Sequence, residues 1–241
     1  MQKLVSGVLP IVVIAMLASG CSTIRAQVDG STRDDGASIT LPPVLETAEW
    51  AVNDGLLSVL VRNDDSRQLR NATVTLQGLD ADGVLVGTWN ADTMAGESSC
   101  CTVLDLEPDG QFGLYFAIGA DAEQIDDIRL SFTEISWAER GGAPVEPAAV
   151  AVPQDTFLDT DRTVVTARVV TGPQEVPRAL VQAVLRGRSG KLIAVVSGRW
   201  SCFAADETRR IRMELFQQVP AGTTVDTVTV TRLNSGPQPT C

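Results

Sequence analysis

Histidine is absent from all 241 residues. Its absence removes the commonest general base, the Ser-His-Asp and Cys-His nucleophile arrangements, and the commonest metal ligand. Lysine is nearly absent too, with Lys3 and Lys191 the only two, so arginine carries the remaining positive charge. Aromatic residues make up 5% of the chain and include a single tyrosine, which leaves little material for an aromatic-lined site. Positive charge is scarce overall: 19 basic residues face 30 acidic ones, a net charge of −11. That balance argues against nucleic acid and against a flat anionic lipid surface as partners. No apolar run reaches the 18 residues or so of a membrane-spanning helix; the stretch Leu4–Leu17 has 14 and carries Pro10 within it.

That short stretch is the most informative segment present. Met1-Gln2-Lys3 precedes it and Ala18-Ser19-Gly20-Cys21 follows it. A positive start, a short apolar core and small residues before a cut site make a secretory signal. With a cysteine directly after the small residues, the segment resembles a bacterial lipobox. The resemblance implies cleavage between Gly20 and Cys21, with acyl chains on the Cys21 thiol and amine. One chain holds a protein marginally and two or more hold it stably. The implied location is the cell envelope, on the non-cytoplasmic side of a membrane. Ser22 in place of Asp favours the outer membrane where the cell has one. An ordinary cleaved signal and an uncleaved anchor are the alternatives. Residues 21–43 are polar, punctuated by glycine and end in Pro42-Pro43. They read as a disordered tether averaging about 25 Å end to end.

Beyond the tether the signal is β. Leu56–Val61 is an apolar stretch, Ala72–Leu76 alternates, and Asp80-Ala81-Asp82-Gly83 marks a hairpin turn before Val84–Val86. Further strands are expected at 102–106, 112–118 and 128–132. The pattern recurs at 163–170, 179–185, 191–197, 211–216 and 225–231. No segment keeps a 3.6 period for long. Gly141, Gly142, Pro144 and Pro147 interrupt the chain midway. The expectation is an all-β protein of two tandem β-sandwich domains, residues 44–140 and 150–241, joined by a linker at 141–149. Ala72, Val74, Gly83 and Leu85 fall 107 positions before Ala179, Val181, Gly190 and Leu192, as in a tandem repeat. The first segment carries roughly ten extra residues around Asn90–Ser99.

Within that first segment, Leu76-Gln77-Gly78-Leu79-Asp80-Ala81-Asp82-Gly83 and Leu106-Glu107-Pro108-Asp109-Gly110 resemble the FxLYD immunoglobulin-like domains of bacterial lipoproteins. In that family a Phe-x-Leu-Tyr-Asp strand end runs into a hairpin, and a Leu-x-Pro-Gly turn precedes the next strand. Leu76, Gly78 and Leu79 stand in the Phe, Leu and Tyr places, and Asp80 and Gly83 match outright. The resemblance covers roughly residues 50–118 and fades in the second repeat. It implies an immunoglobulin-like sandwich without catalysis of its own.

Four cysteines remain after Cys21, an even number in an exported chain, which favours disulfides. A Cys202–Cys241 bond, the favoured pairing, would tie the C-terminus to the loop after the 191–197 strand. Cys100 and Cys101 would then be left as neighbours, where a mutual bond is strained. Free thiols, a crossing to the second segment and a redox pair at Cys100 and Cys101 stay open. No zinc arrangement fits this spacing. Asp80-Ala81-Asp82-Gly83 also opens like a calcium loop, but the later ligands are missing, so a turn is the expected role. Trp50, Trp89, Trp137 and Trp200 could line a sugar-binding face, with core packing the expected alternative. Phe112, Leu114 and Phe116 read as core, leaving Gly113 and Tyr115 on the outer face as a modest contact surface.

The expected role is a membrane-anchored, non-enzymatic binding or structural module in the envelope. Its expected partner is another envelope protein or itself, and its expected cofactor none beyond the lipid on Cys21. The rivals are a carboxylate enzyme using Asp105 and Glu107, and a thiol sensor using Cys100 and Cys101.

Overall fold

A computed structural model describes residues 44–91, 99–100, 102–139, 147–233 and 239–241, with side chains omitted at 99 and 100. The signal segment with Gly20 and Cys21, the tether, Cys101 and most of the midway linker lie outside the described residues.

The chain is nearly all β, as its alternating and β-branched segments dictate. The first half contributes β1 (Glu46–Asn53), β2 (Leu56–Arg62), β3 (Leu69–Leu79), β4 (Leu85–Asn90), β5 (Ser99–Cys100), β6 (Val103–Leu106), β7 (Gln111–Ala117) and β8 (Asp127–Trp137). The second contributes β9 (Ala149–Asp159), β10 (Val164–Thr171), β11 (Val176–Arg186), β12 (Leu192–Phe203), β13 (Thr208–Glu214) and β14 (Thr224–Arg232). A short 3-10 turn at Gly119–Gln124 is the only helix among the described residues. None there is long and apolar enough to cross a membrane.

Four antiparallel sheets result. In the first half, β1-β2-β7-β5 packs on a sheet in which β3 is flanked by β8 and by β4 and β6. In the second, β13-β10-β9 packs on β12-β11-β14. One connectivity therefore serves twice. The opening hairpin pairs β1 with β2 and β9 with β10, and β3 and β11 each take a returning partner and a late partner. Leu69 and Leu85 open strands 107 positions before Val176 and Leu192, while Gln111 and Asp127 open theirs 97 before Thr208 and Thr224. The ten-residue difference falls after β4, where the extra residues of the first half lie. Turn geometry repeats as well. Asp80 N–H donates to Val84 O and Gly83 N–H to Asp80 O, at 3.0 and 2.9 Å. Gly187 N–H to Lys191 O and Gly190 N–H to Gly187 O have the same two lengths.

Two opening strands differ from the sequence expectation. β1 was not anticipated, although Asp54-Gly55 after it takes φ of 49° and 74°, the two left-handed residues of a tight hairpin turn. β9 contains Pro153, which normally speaks against a strand. It is tolerated because β9 is a marginal strand and its pairing with β10 shifts register between Val152 and Phe157. β9 also begins at Ala149, a residue assigned above to the linker.

The halves do not stand apart. β2 is buried at every position from Leu56 to Val61, and β11 from Ala179 to Leu185. A strand covered on one face alternates, whereas one covered on both reads as a continuous apolar run. Leu57, Val59 and Val61 belong to the first half's own core, while Leu60 clusters with Val184, Leu192 and Val195 of the second half. The β1-β2-β7-β5 sheet thus lies against β12-β11-β14, and the four sheets form one stack.

Candidate recognition cleft at the seam

The seam between the halves is closed by a few polar residues set among apolar ones. Gln182, buried on β11, donates from Nε2 to Gly113 O at 2.7 Å and accepts from Gly113 N–H at 3.2 Å. Its amide thereby stands in for a neighbouring strand along β7. Val195 N–H donates to the buried Ser58 hydroxyl at 3.0 Å. At the rim, Arg186 bridges Glu49 at 2.7 Å and Asp226 at 2.9 Å, and Leu192 N–H donates to Glu49 at 2.6 Å. Gly113 does face away from its own sandwich, and what it contacts is the other half, while Tyr115 is buried. A Cβ on Gly113 would lie 2.5 Å from Val195 Cγ1. Burial pushes the Tyr115 phenol up to about 12, so it stays neutral.

Where β6 and the turn after it approach β14, the seam opens into a cleft of about 680 Å³. Its walls carry Gln68, Arg70, Asp105 to Glu107, Gly110 and Gln111 from the first half and Thr229 to Arg232 from the second, with Pro147, Ala148 and residues 172–174 between them. Asp105, at φ 47°, meets Arg70 at 3.2 Å, and Glu107 accepts from Gln68 at 2.7 Å. Each carboxylate is thus engaged by its own side-chain partner. The Arg232 side chain forms no hydrogen bond or ion pair among the described residues, while its backbone pairs with Ala179. Asp105 and Glu107 were anticipated as a pair of carboxylates; the cleft does hold both, together with an arginine that nothing in the sequence singled out.

Asn63 is the buried residue that sequence reasoning missed. Its Nδ2 donates to Arg67 O at 2.8 Å, Leu106 O at 3.1 Å and Glu107 O at 3.2 Å, while its Oδ1 accepts from Asp65 N–H at 3.0 Å. It ties the loop after β2 to the end of β6 and so sets one wall of the cleft. Thr171, at the end of β10, takes a similar place: its hydroxyl donates to Ala204 O at 2.7 Å and accepts from Glu207 N–H at 2.8 Å. Glu207 accepts from Arg209 and from Ala204 N–H, and those bonds hold its carboxyl below the usual range, Arg209 contributing most.

The other candidates fall as follows. Asp80 Oδ1 accepts from Asp82 N–H and Val84 N–H, so it closes the hairpin turn itself. All four tryptophans pack against the core: Trp89 and Trp200 fold over Gly87 and Gly198 two residues back, and Trp137 carries the Arg67 guanidinium 4.6 Å above its ring. Phe112, Leu114 and Phe116 are buried. Cys202 is bonded to Cys241 with Cα atoms 5.3 Å apart. Closing that 39-residue separation contributes on the order of 4 kcal/mol in the chain-entropy picture. The side chains of Cys100 and Cys101 lie outside the described residues. Among the described residues no group of three or more Cys, Asp or Glu could hold a metal ion.

No family model matches the chain, and no curated protein does. Among solved structures it is similar to a DUF4785 family protein from Legionella pneumophila, at 13% identity over 77% of this chain and 50% of that one, with a TM-score of 0.25. It is also similar to the C-terminal globular domain of an oligosaccharyltransferase from Pyrococcus abyssi, at 8% identity over 75% of this chain and 41% of that one, with a TM-score of 0.23. The chain spans half or less of these neighbours' length. Likenesses this slight carry no argument about its role.

Proposed function

We propose that the chain is a lipid-anchored envelope lipoprotein whose stacked sandwiches, of the FxLYD immunoglobulin-like kind, form a non-catalytic recognition module. The observation that carries the recognition reading is the seam cleft. It is roomy and mostly apolar in its lining, and its two carboxylates are taken up by Arg70 and Gln68. A general acid and base pair requires groups poised on a substrate and shifted toward their task. Side chains already holding one another suit a shaped surface better. The Cys21 context supports the anchor, and the tether lets the stack stand off the membrane. The envelope protein it would meet, or a second copy, remains the expected partner class.

Substituting Cys21 tests the anchor. Wild-type protein is expected to fractionate with membranes and to incorporate a labelled fatty acid; Cys21→Ser is expected to lose the label and appear in the soluble envelope or precursor fraction. Label retained on Cys21→Ser protein would sink the lipoprotein reading.

A further inference from the structure

The contact that joins the two halves has a receiving side and an inserted side, and each has a counterpart on the outside of the stack. On the receiving side, Leu60 and Gly113 stand directly opposite each other on β2 and β7, and the second half covers both. Gln111 and Thr208 open β7 and β13, so Arg210 holds the place of Gly113, and Arg168 opposite it on β10 holds the place of Leu60. That face lies open. Arg168 and Arg210 are exposed, as are Val150 and Phe157 beside them on β9. On the inserted side, Leu192 pairs with Arg186 at the foot of the β11–β12 hairpin and is buried against Leu60. Leu85 pairs with Leu79 in the same place of the β3–β4 hairpin, yet it is 53% exposed and Val84 before it 61%.

The charges on the two sides are exchanged as well. At the seam a basic hairpin with Arg186, Arg188 and Lys191 meets the carboxylate of Glu49, through Arg186 and the Leu192 N–H. Outside, the exposed hairpin is acidic, with Asp80 and Asp82 next to Val84 and Leu85, and the open face carries the arginines. Arg168 and Arg210 are like charges directly opposite on neighbouring strands, an arrangement that costs a sheet stability. Their surroundings offset little of it: Arg168 pairs with Asp155 in solvent, where an ion pair is worth little, and Arg210 lies over the Phe157 ring at 5.2 Å. A patch and its complement at opposite ends of one molecule make a heterologous contact that passes from copy to copy. We propose that a second copy of this chain is the partner, docked head to tail: the acidic Val84–Leu85 hairpin of one copy seats on the β9-β10-β13 face of the next, as Leu192 seats on Leu60 within the chain. This rests on the recognition reading above and names its partner.

The test uses the full-length protein in native envelopes, with a photo-crosslinking amino acid at Leu85, at Phe157 or, in the seam cleft, at Thr231. Leu85 is expected to join the β9-β10-β13 face of a second copy and Phe157 its β3–β4 hairpin, each giving a ladder of multimers. Asp82→Arg and Arg210→Asp are each expected to cut the Leu85 adduct about tenfold. Both together in one chain are expected to restore it, because every copy then carries the exchange at both ends. Adducts of Leu85 with Leu85, a yield indifferent to both reversals, or losses that the double variant does not recover overturn the proposal. Adducts from Thr231 alone, with a different protein, overturn it and leave the recognition reading standing. Absence of adducts from all three positions overturns both.

Discussion

Gly113→Ala is expected to destabilise the chain by about 2 kcal/mol, though it adds a single methyl group in a strand where alanine is normally tolerated. The added carbon would stand 2.5 Å from one methyl of Val195 and 3.0 Å from the other. Val195 is fully buried and β-branched, so it has few rotamers into which to retreat. The sheets would have to separate, and the Gln182 amide, now 2.7 Å from Gly113 O, would lose its grip as they did. Equilibrium denaturation of the purified protein reads the effect. Val195→Ala in the same chain removes the obstruction, so the double variant is expected to be clearly more stable than the sum of the single losses predicts. Strict additivity would mean that Gly113 and Val195 do not meet across the seam.

Asn63→Ala should be at least as costly, on the order of 3 kcal/mol, because it orphans buried groups on two segments at once. Arg67, Leu106 and Glu107 would lose the amide that bonds their carbonyls, and Asp65 N–H would lose its acceptor. Asn63→Asp keeps the size and the acceptor for Asp65 N–H but faces a carboxylate toward three carbonyl oxygens, so it should not restore stability. Since Asn63 is fully buried, water cannot replace it without opening the turn between β6 and β7. A denaturation midpoint unchanged in Asn63→Ala would show that the loop after β2 is held by other means.

The two residues differ in how visible they were beforehand. Gly113 was legible as an outward position in Phe112-Gly113-Leu114-Tyr115-Phe116, because its neighbours so plainly formed a core face. What would cover it was not legible from alternation alone. The hint lay elsewhere, in the runs Leu56–Val61 and Ala179–Leu185, which are apolar at nearly every position. Each contains one polar residue, Ser58 and Gln182, and both prove to bond across the seam. Asn63 gave no such hint, because an asparagine followed by Asp64, Asp65 and Ser66 reads as an ordinary loop. Most strands were readable because β-branched alternation and glycine turns agree. β1 and β9 were not, since one is mixed in polarity and the other carries Pro153. The cleft was beyond sequence reading for a plainer reason. It gathers residues from five separated segments, 68–70, 105–111, 147–148, 172–174 and 229–232, and only the stack brings them together.

Recognition at the seam requires that the halves stay closed on one another, and two backbone amides report this directly. Gly113 N–H is bonded to the Gln182 side chain and Val195 N–H to the Ser58 hydroxyl, both across the seam. Hydrogen exchange of these two amides in the purified protein is therefore the most direct measurement. Both are predicted to exchange only through global unfolding, at the slow rate of core amides such as Val74 and Val181. Fast exchange at Gly113 and Val195, with the core amides still protected, would show that the halves part freely and would contradict a site built between them.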